Sequence, residues 1–383
     1  MRRPKARFAA PVVVAGLIGL GAWIPAEASA STPSLPAISA AQLIAKAETA
    51  KVSAYSATLQ WSARLGLPSL GALTSGGGQS VATSTGLNPT SLLSGTHKLE
   101  VWVNGARRQR LALPASLAET DFIHNGDQAW IWDSSNQKVT HLTLAPAKAG
   151  PRVAMPQRSG AAGLTPGALA ARALSAISPS TSVSVASPVY LAGRAAYVLR
   201  LSPRAGTAGA TQSSVASVRI AVDASNGFPL QVSIRAKGHA RPALQVGYTS
   251  LGFQTPPASE FTAPHGLSVV NKTVAPPSGH SAWGAGTFSG AGMFSGAGVG
   301  SVASLIGPPW GRVVESRGSV AGNLAGGGRS ASQLRSLTTP VSGPFGSARL
   351  LHTALANVLF LPDGQVAAGL VTPAALEAAV ARG

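Results

Sequence analysis

The side chains that could do chemistry in this sequence are few and scattered. Seven histidines, His97, His124, His141, His239, His265, His280 and His352, are dispersed with no H-x-x-x-H pair. The chain has no cysteine, which removes thiolate metal ligands, a cysteine nucleophile, a disulfide framework and the acylated cysteine of a lipoprotein. Of only 12 acids, Asp121, Asp127 and Asp133 sit in or beside turns, where a carboxylate ordinarily caps backbone amides, and no spacing marks a glycosidase-type pair. Neither a G-x-S-x-G elbow nor a P-loop occurs. These residues point away from an enzyme and call for no metal or other cofactor. The chemistry left to the chain is non-covalent, the burial of apolar surface.

The elements that would do this burying are strands. Residues 97–144 hold three alternating apolar runs, split or joined at Asn104-Gly105, Asn125-Gly126-Asp127 and Asp133-Ser134-Ser135-Asn136. Asn-Gly accepts the positive φ of a tight hairpin, so the stretch reads as an antiparallel meander. Within it Leu99, Val101 and Val103 point one way, with Lys98, Glu100 and Trp102 pointing the other. Residues 55–65 alternate in the same manner, with Tyr55, Ala57, Leu59, Trp61, Ala63 and Leu65 on one face. Further strands are expected over 182–189, 195–201, 215–223, 230–234 and 244–253. That makes about ten strands and two helices.

The first helix opens at Ser39, with Gln42 at capping-box spacing and Ala40, Leu43, Ile44 and Ala47 on one face. The second is capped by Thr165, starts with Pro166 and presents Leu169, Ala173, Ala176 and Ile177 before Pro179 stops it. Residues 66–95 form a long Gly-rich insertion carrying six leucines, which could serve as a lid or as packing.

Both ends of the chain have a different character. Arg2, Arg3, Lys5 and Arg7 precede an apolar run over 8–24 and a small-residue Ala28-Ser29-Ala30 site, so residues 1–30 read as a signal peptide. The alternative is an uncleaved N-terminal membrane anchor. Formal net charge is +18; the first thirty residues take away four basic residues and one acid, leaving about +15. In an exported protein this favours anionic membrane surfaces or envelope polymers over nucleic acid as the partner. Residues 276–307 are a Gly/Ser/Ala-rich linker, and 308–383 a small α+β module with a Pro362-Asp363-Gly364 hairpin and a last helix capped by Thr372-Pro373.

The order of pieces resembles the LolA/RseB-like superfamily of exported lipoprotein carriers and lipid-binding proteins, in its high-GC Gram-positive version. The resemblance is carried by Tyr55-Ser56-Ala57-Thr58-Leu59 after the N-terminal helix, Trp102-Val103-Asn104-Gly105, Asn125-Gly126-Asp127-Gln128-Ala129-Trp130, and the run from Val222 through Asn226-Gly227-Phe228-Pro229 to Leu230. Glu260-Phe261-Thr262-Ala263-Pro264 echoes the close of that domain. It implies a mainly β (α+β) fold over 31–275, an antiparallel sheet forming an unclosed β-barrel with helices covering its concave face. An apolar cavity between sheet and helices would then take acyl chains, with Leu59, Trp61, Leu99, Val101 and Trp130 as candidate lipid-binding residues. The implied partner is a lipid or acylated protein. The sensor branch of the superfamily implies instead a membrane-anchored regulator of the anti-sigma factor type. The family's acyl-binding arginine cannot be assigned among Arg64, Arg107, Arg108 and Arg110.

Overall fold

The structure, a computed structural model, describes residues 32–67, 91–114, 118–144, 164–264, 266–274, 302–317 and 335–382. The signal peptide read over 1–30, most of the 66–95 insertion and most of the 276–307 linker lie outside the described residues. Thr32–Gly383 forms one compact unit.

Alternation in the sequence becomes alternation in burial. Along β1 (Ala54–Arg64), Tyr55, Ala57, Leu59, Trp61 and Ala63 are buried, with Ser56, Thr58 and Gln60 only half-buried. Strand β1 is the middle of a twelve-stranded sheet. On one side it pairs with β2 (Ser94–Asn104), followed by β3 (Arg108–Pro114), β4 (Glu119–Asn125), β5 (Gln128–Asp133) and β6 (Lys138–Leu144), the meander expected from its turns. On the other side it pairs with β11 (Leu244–Gly252), followed outward by β10 (Pro229–Ala236), β9 (Val215–Asp223), β8 (Arg194–Pro203) and β7 (Thr181–Leu191). The twelfth strand, β12 (Ser268–Val274), lies parallel to β6 at the far edge. All other neighbours in this sheet are antiparallel, and its edges β12 and β7 do not pair with each other. This is the mainly β, unclosed sheet that the resemblance implies.

Two helices lie against one face. The first, α1 (Ala40–Glu48), has the full capping box: Ser39 Oγ accepts from the Gln42 amide and the Gln42 side chain accepts from the Ser39 amide. It packs on β7 and β8 through buried Leu43. The second, α2 (Pro166–Ser175), is capped by Thr165 and packs on β10 and β11 through Leu169, Ala170, Ala173 and Leu174. One-turn α3 (Ala208–Gln212) is too short to leave a periodic signal in the sequence.

A second, six-stranded sheet runs in the order β13 (Val302–Ile306), β14 (Val313–Arg317), β18 (Gln365–Gly369), β17 (Asn357–Phe360), β16 (Gly346–His352), β15 (Thr339–Gly343). The last helix, α4 (Pro373–Val380), starts at the Thr372 cap. Strand β13 falls inside the stretch whose composition reads as linker.

The second sheet is docked on the first. Ser214 and Leu370 are joined by a 2.9 Å backbone hydrogen bond, the Ala354 amide donates to the Leu65 carbonyl at 2.9 Å, and Leu355, Ala356 and Leu370 belong to the main apolar core.

Candidate functional site: a cleft between two helices

Cross-strand register decides which side chains share a face, because residues directly opposite one another lie on the same side of the pleat. Leu59 pairs with Leu99 and with Tyr248, Ala57 with Val101, and Val101 with Leu111. Leu59, Trp61, Leu99 and Val101 are therefore brought together on the helix-covered face. All four are packed core side chains, and the Trp61 indole N–H donates to the Leu92 carbonyl at 2.7 Å. Trp130 does not join them. Leu111 pairs with Phe122 and Phe122 with Ile131, which puts Ile131 on the helix-covered face and Trp130 on the other, stacked on His141 with ring centroids 5.6 Å apart.

The opening onto the helix-covered face lies elsewhere, between the C-terminal end of α1 and the flank of α2. A cleft of about 360 Å³ is lined there by Ala47, Ala50 and Val52, by Ala170, Ala171 and Leu174, and by Phe228 and Pro229, with the polar side chains of Glu48 and Ser175 among them. Small side chains leave the gap between the helices unfilled, and Phe228 is the one aromatic residue in its lining.

The position of that ring is built by the β9–β10 turn. Asp223 is fully buried at the end of β9 and its Oδ1 accepts from the Ser225 amide at 2.8 Å and hydroxyl at 2.6 Å. Its other oxygen is held by Arg194. Burial opposes ionisation of this carboxyl, but Arg194 and Ser225 more than offset it and hold its pKa below the usual value. Asn226 Oδ1 then accepts from the Phe228 amide at 3.0 Å, closing a second local turn. Between them Gly227 has φ +76°, and a Cβ there would overlap the Lys46 carbonyl. The end of α1 therefore rests directly on the turn, and only glycine satisfies both demands. Phe228 leaves this turn into an aromatic cluster, 5.1 Å from Tyr55, 5.8 Å from Tyr248 and 5.6 Å from Phe253 between centroids.

None of the five sequence-derived candidates lines this cleft. Most of the residues that do lie on the two helices, Ala47, Ala170 and Ala171 among them, and their convergence depends on how those helices are placed. Phe228 stands in the sequence beside the Asn226-Gly227 turn, in the run that carries the family resemblance, and its place in the cleft follows from where that turn meets α1. Among the described residues, no group of three or more histidines and acids is arranged to hold a metal ion, and no helix is long and apolar enough to cross a membrane.

No family model matches the chain, and no curated protein matches it. Among solved structures, it is similar to a chain of the complex of Pseudomonas aeruginosa MucA/MucB, at 14% identity over 89% of this chain and 96% of that one, with a TM-score of 0.40. It is also similar to an uncharacterized conserved protein from Thermus thermophilus, at 10% identity over 61% of this chain and 99% of that one, TM-score 0.32. A LolA superfamily protein from Nitrosomonas europaea aligns at 13% identity over 59% of this chain and 99% of that one, with a TM-score of 0.23.

Proposed function

We propose that the protein is an exported, non-enzymatic binder or carrier of lipid, taking an acyl chain through the cleft between α1 and α2 onto the apolar face of the large sheet. The observation that carries this reading is the cleft itself. Its volume, about 360 Å³, lies within the range of about 300–1,000 Å³ of ordinary ligand pockets, and its walls combine alanine, valine, leucine, proline and phenylalanine with the polar side chains of Glu48 and Ser175, which suits an amphiphile with an acyl chain and a polar head. Each methylene that leaves water there would contribute about 0.8 kcal/mol. Leu59, Trp61, Leu99 and Val101 would form the sheet face behind the cleft, over which a chain could extend if the helices parted.

A second reading, an envelope sensor that binds a membrane-anchored regulator, is favoured by edge strand β15. Among the described residues it has no neighbour on its outer side, and although Pro340 supplies no amide, the rest of the edge offers free backbone groups to an added strand from a partner.

Native mass spectrometry of the protein purified from an exporting Gram-positive host separates the two readings. Stoichiometric lipid on the wild type that is lost in Ala171→Trp, a substitution that fills the cleft, is the expected result. A clean apo mass with no uptake of added phospholipid or fatty acid would overturn the carrier reading and leave the sensor.

A further inference from the structure

The face of the large sheet that α1 and α2 leave open carries an arrangement of charge with no internal partner. Register runs one row straight across it: Ser184 of β7 opposite Arg200 of β8, Arg200 opposite Arg219 of β9, Arg219 opposite Ser233 of β10, Ser233 opposite Gln245 of β11, and Gln245 opposite Ser62 of β1. Arg200 and Arg219 are exposed and directly cross-strand, so their Cα atoms are about 5 Å apart. Arg235, two residues along β10 from Ser233, is the diagonal neighbour of Arg219 at about 7–8 Å.

Like charges placed directly opposite each other in a sheet are destabilising. A structural role would put a carboxylate between them. Instead, the only acid on β1 or on β7 through β11 is Asp223, which is buried and held by Arg194. Among the described residues no ion pair or hydrogen bond engages the guanidinium of Arg200, Arg219 or Arg235. Arg235 is half-buried, with buried Ser217 directly opposite it, so Arg200 and Arg219 are the most accessible members of the array. The array thus lacks its counter-charge.

We infer that this open face is a docking surface for the phosphate groups of an anionic lipid bilayer, with Arg200, Arg219 and Arg235 as its centre. Charge complementarity supports the assignment, because planar guanidinium forks match phosphate oxygens and a sheet face presents several of them at once to a flat layer of headgroups. Beside the arginines, Ser184 is exposed and Gln245 half-buried, with Ser233 and Ser62 buried between longer side chains, and the pairing puts none of the aromatic residues of these strands in the row, which leaves no platform for stacking nucleic-acid bases. The inference does not depend on lipid entering the helix cleft: adsorption to a bilayer and extraction of one lipid are read by different assays.

The test is cosedimentation of the chain from Thr32 onward with vesicles of phosphatidylglycerol and phosphatidylcholine, compared with pure phosphatidylcholine. Binding to the anionic vesicles only, weakening with added salt, is expected. Replacing Arg200, Arg219 and Arg235 by Gln should lower the partition coefficient about a hundredfold, while Lys51, Arg241 and Arg382→Gln, the same loss of charge elsewhere, should lower it far less. The array variant should also melt no lower than wild type, since a repulsive pair has been removed, so misfolding would be visible as a drop in melting temperature. Equal losses in the two variants would mean that only net charge matters and would overturn the inference. So would array-dependent binding of soluble polyphosphate with none to vesicles, which would assign the arginines to a free oligoanion.

Discussion

On the face of the sheet away from α1 and α2, where the 3-10 turn at Ala258–Phe261 covers β3 and β4, burial acts most strongly on the Asp121 carboxyl. It is fully buried, one of its oxygens accepts from Arg110 at 2.6 and 2.8 Å, and the other has no partner. Arg110 itself is shared with Glu119 and Glu260 and lies 4.8 Å over the Trp102 ring. One guanidinium cannot neutralise three carboxylates. Burial pushes the Asp121 carboxyl up, Glu119 adds to the effect, and Arg110 only partly opposes it, leaving a pKa of about 7 against an ordinary 3.8. The folded state therefore keeps a proton that the unfolded chain has already released between about pH 4 and 7, so stability declines as pH rises through that window and levels off above it. Asp121→Asn cannot titrate and should remove this part of the decline. Urea midpoints at pH 5 and pH 8 check it: a wild-type difference that survives unchanged in Asp121→Asn would show that other groups carry it. Sequence could place Asp121 near a turn, but its partner Arg110 arrives from β3, and the Glu260 carboxylate that shares Arg110 comes from the 3-10 turn at Ala258–Phe261, 150 residues farther along the chain.

At the scale of elements, local chemistry was readable where a few neighbouring residues close their own hydrogen bonds. The Ser39–Gln42 capping box, the Thr165-Pro166 and Thr372-Pro373 helix starts, and the alternation of β1 and β2 are all realised as their residues imply. Strand β12 was not expected, because Val269 and Val270 are substantially exposed and its pairing with β6 is parallel, so no hairpin turn announces it. The turn at Gly227 is the element on which the cleft depends. Gly227→Ala would force an L residue into the left-handed region, at a cost of about 1–2 kcal/mol, and would also press a methyl group onto the end of α1. Its melting temperature should fall by more than that of Gly364→Ala, where φ is +85° but a Cβ meets nothing within 4 Å. Equal losses would mean that α1 can shift away from the turn without consequence.

On the scale of the whole molecule, the second sheet is part of the first sheet's packing. Trp310 donates its indole N–H to Thr181 Oγ1 at 3.0 Å and packs against Gly209 of α3, beside a cavity of about 180 Å³ bounded by Leu201, Val218 and Leu370. With Leu355, Ala356 and Leu370 in the main core, the two sheets should unfold together in one calorimetric transition. Trp310→Ala should lower that single transition by about 2 kcal/mol, less than the about 3–5 kcal/mol of a fully buried aromatic, because Trp310 is only half-buried. Two resolved transitions in the wild type would show that the sheets are energetically separate.

Sequence alone determined the class of this protein. Period-two alternation, Asn-Gly and Asp-Gly turns and two capped amphipathic helices dictate an antiparallel sheet with helices on one face, since each of these signals acts over fewer than a dozen residues, and that the sheet stays unclosed came from the family resemblance alone. Tertiary structure alone decided what the faces carry. Whether Trp130 or Ile131 looks toward the helices, whether Arg200 meets Arg219, and whether the alanines of α1 and α2 leave a cleft all depend on register and on helix placement. Those are settled by contacts between residues far apart in the chain, and a one-residue slip in any strand would reverse them.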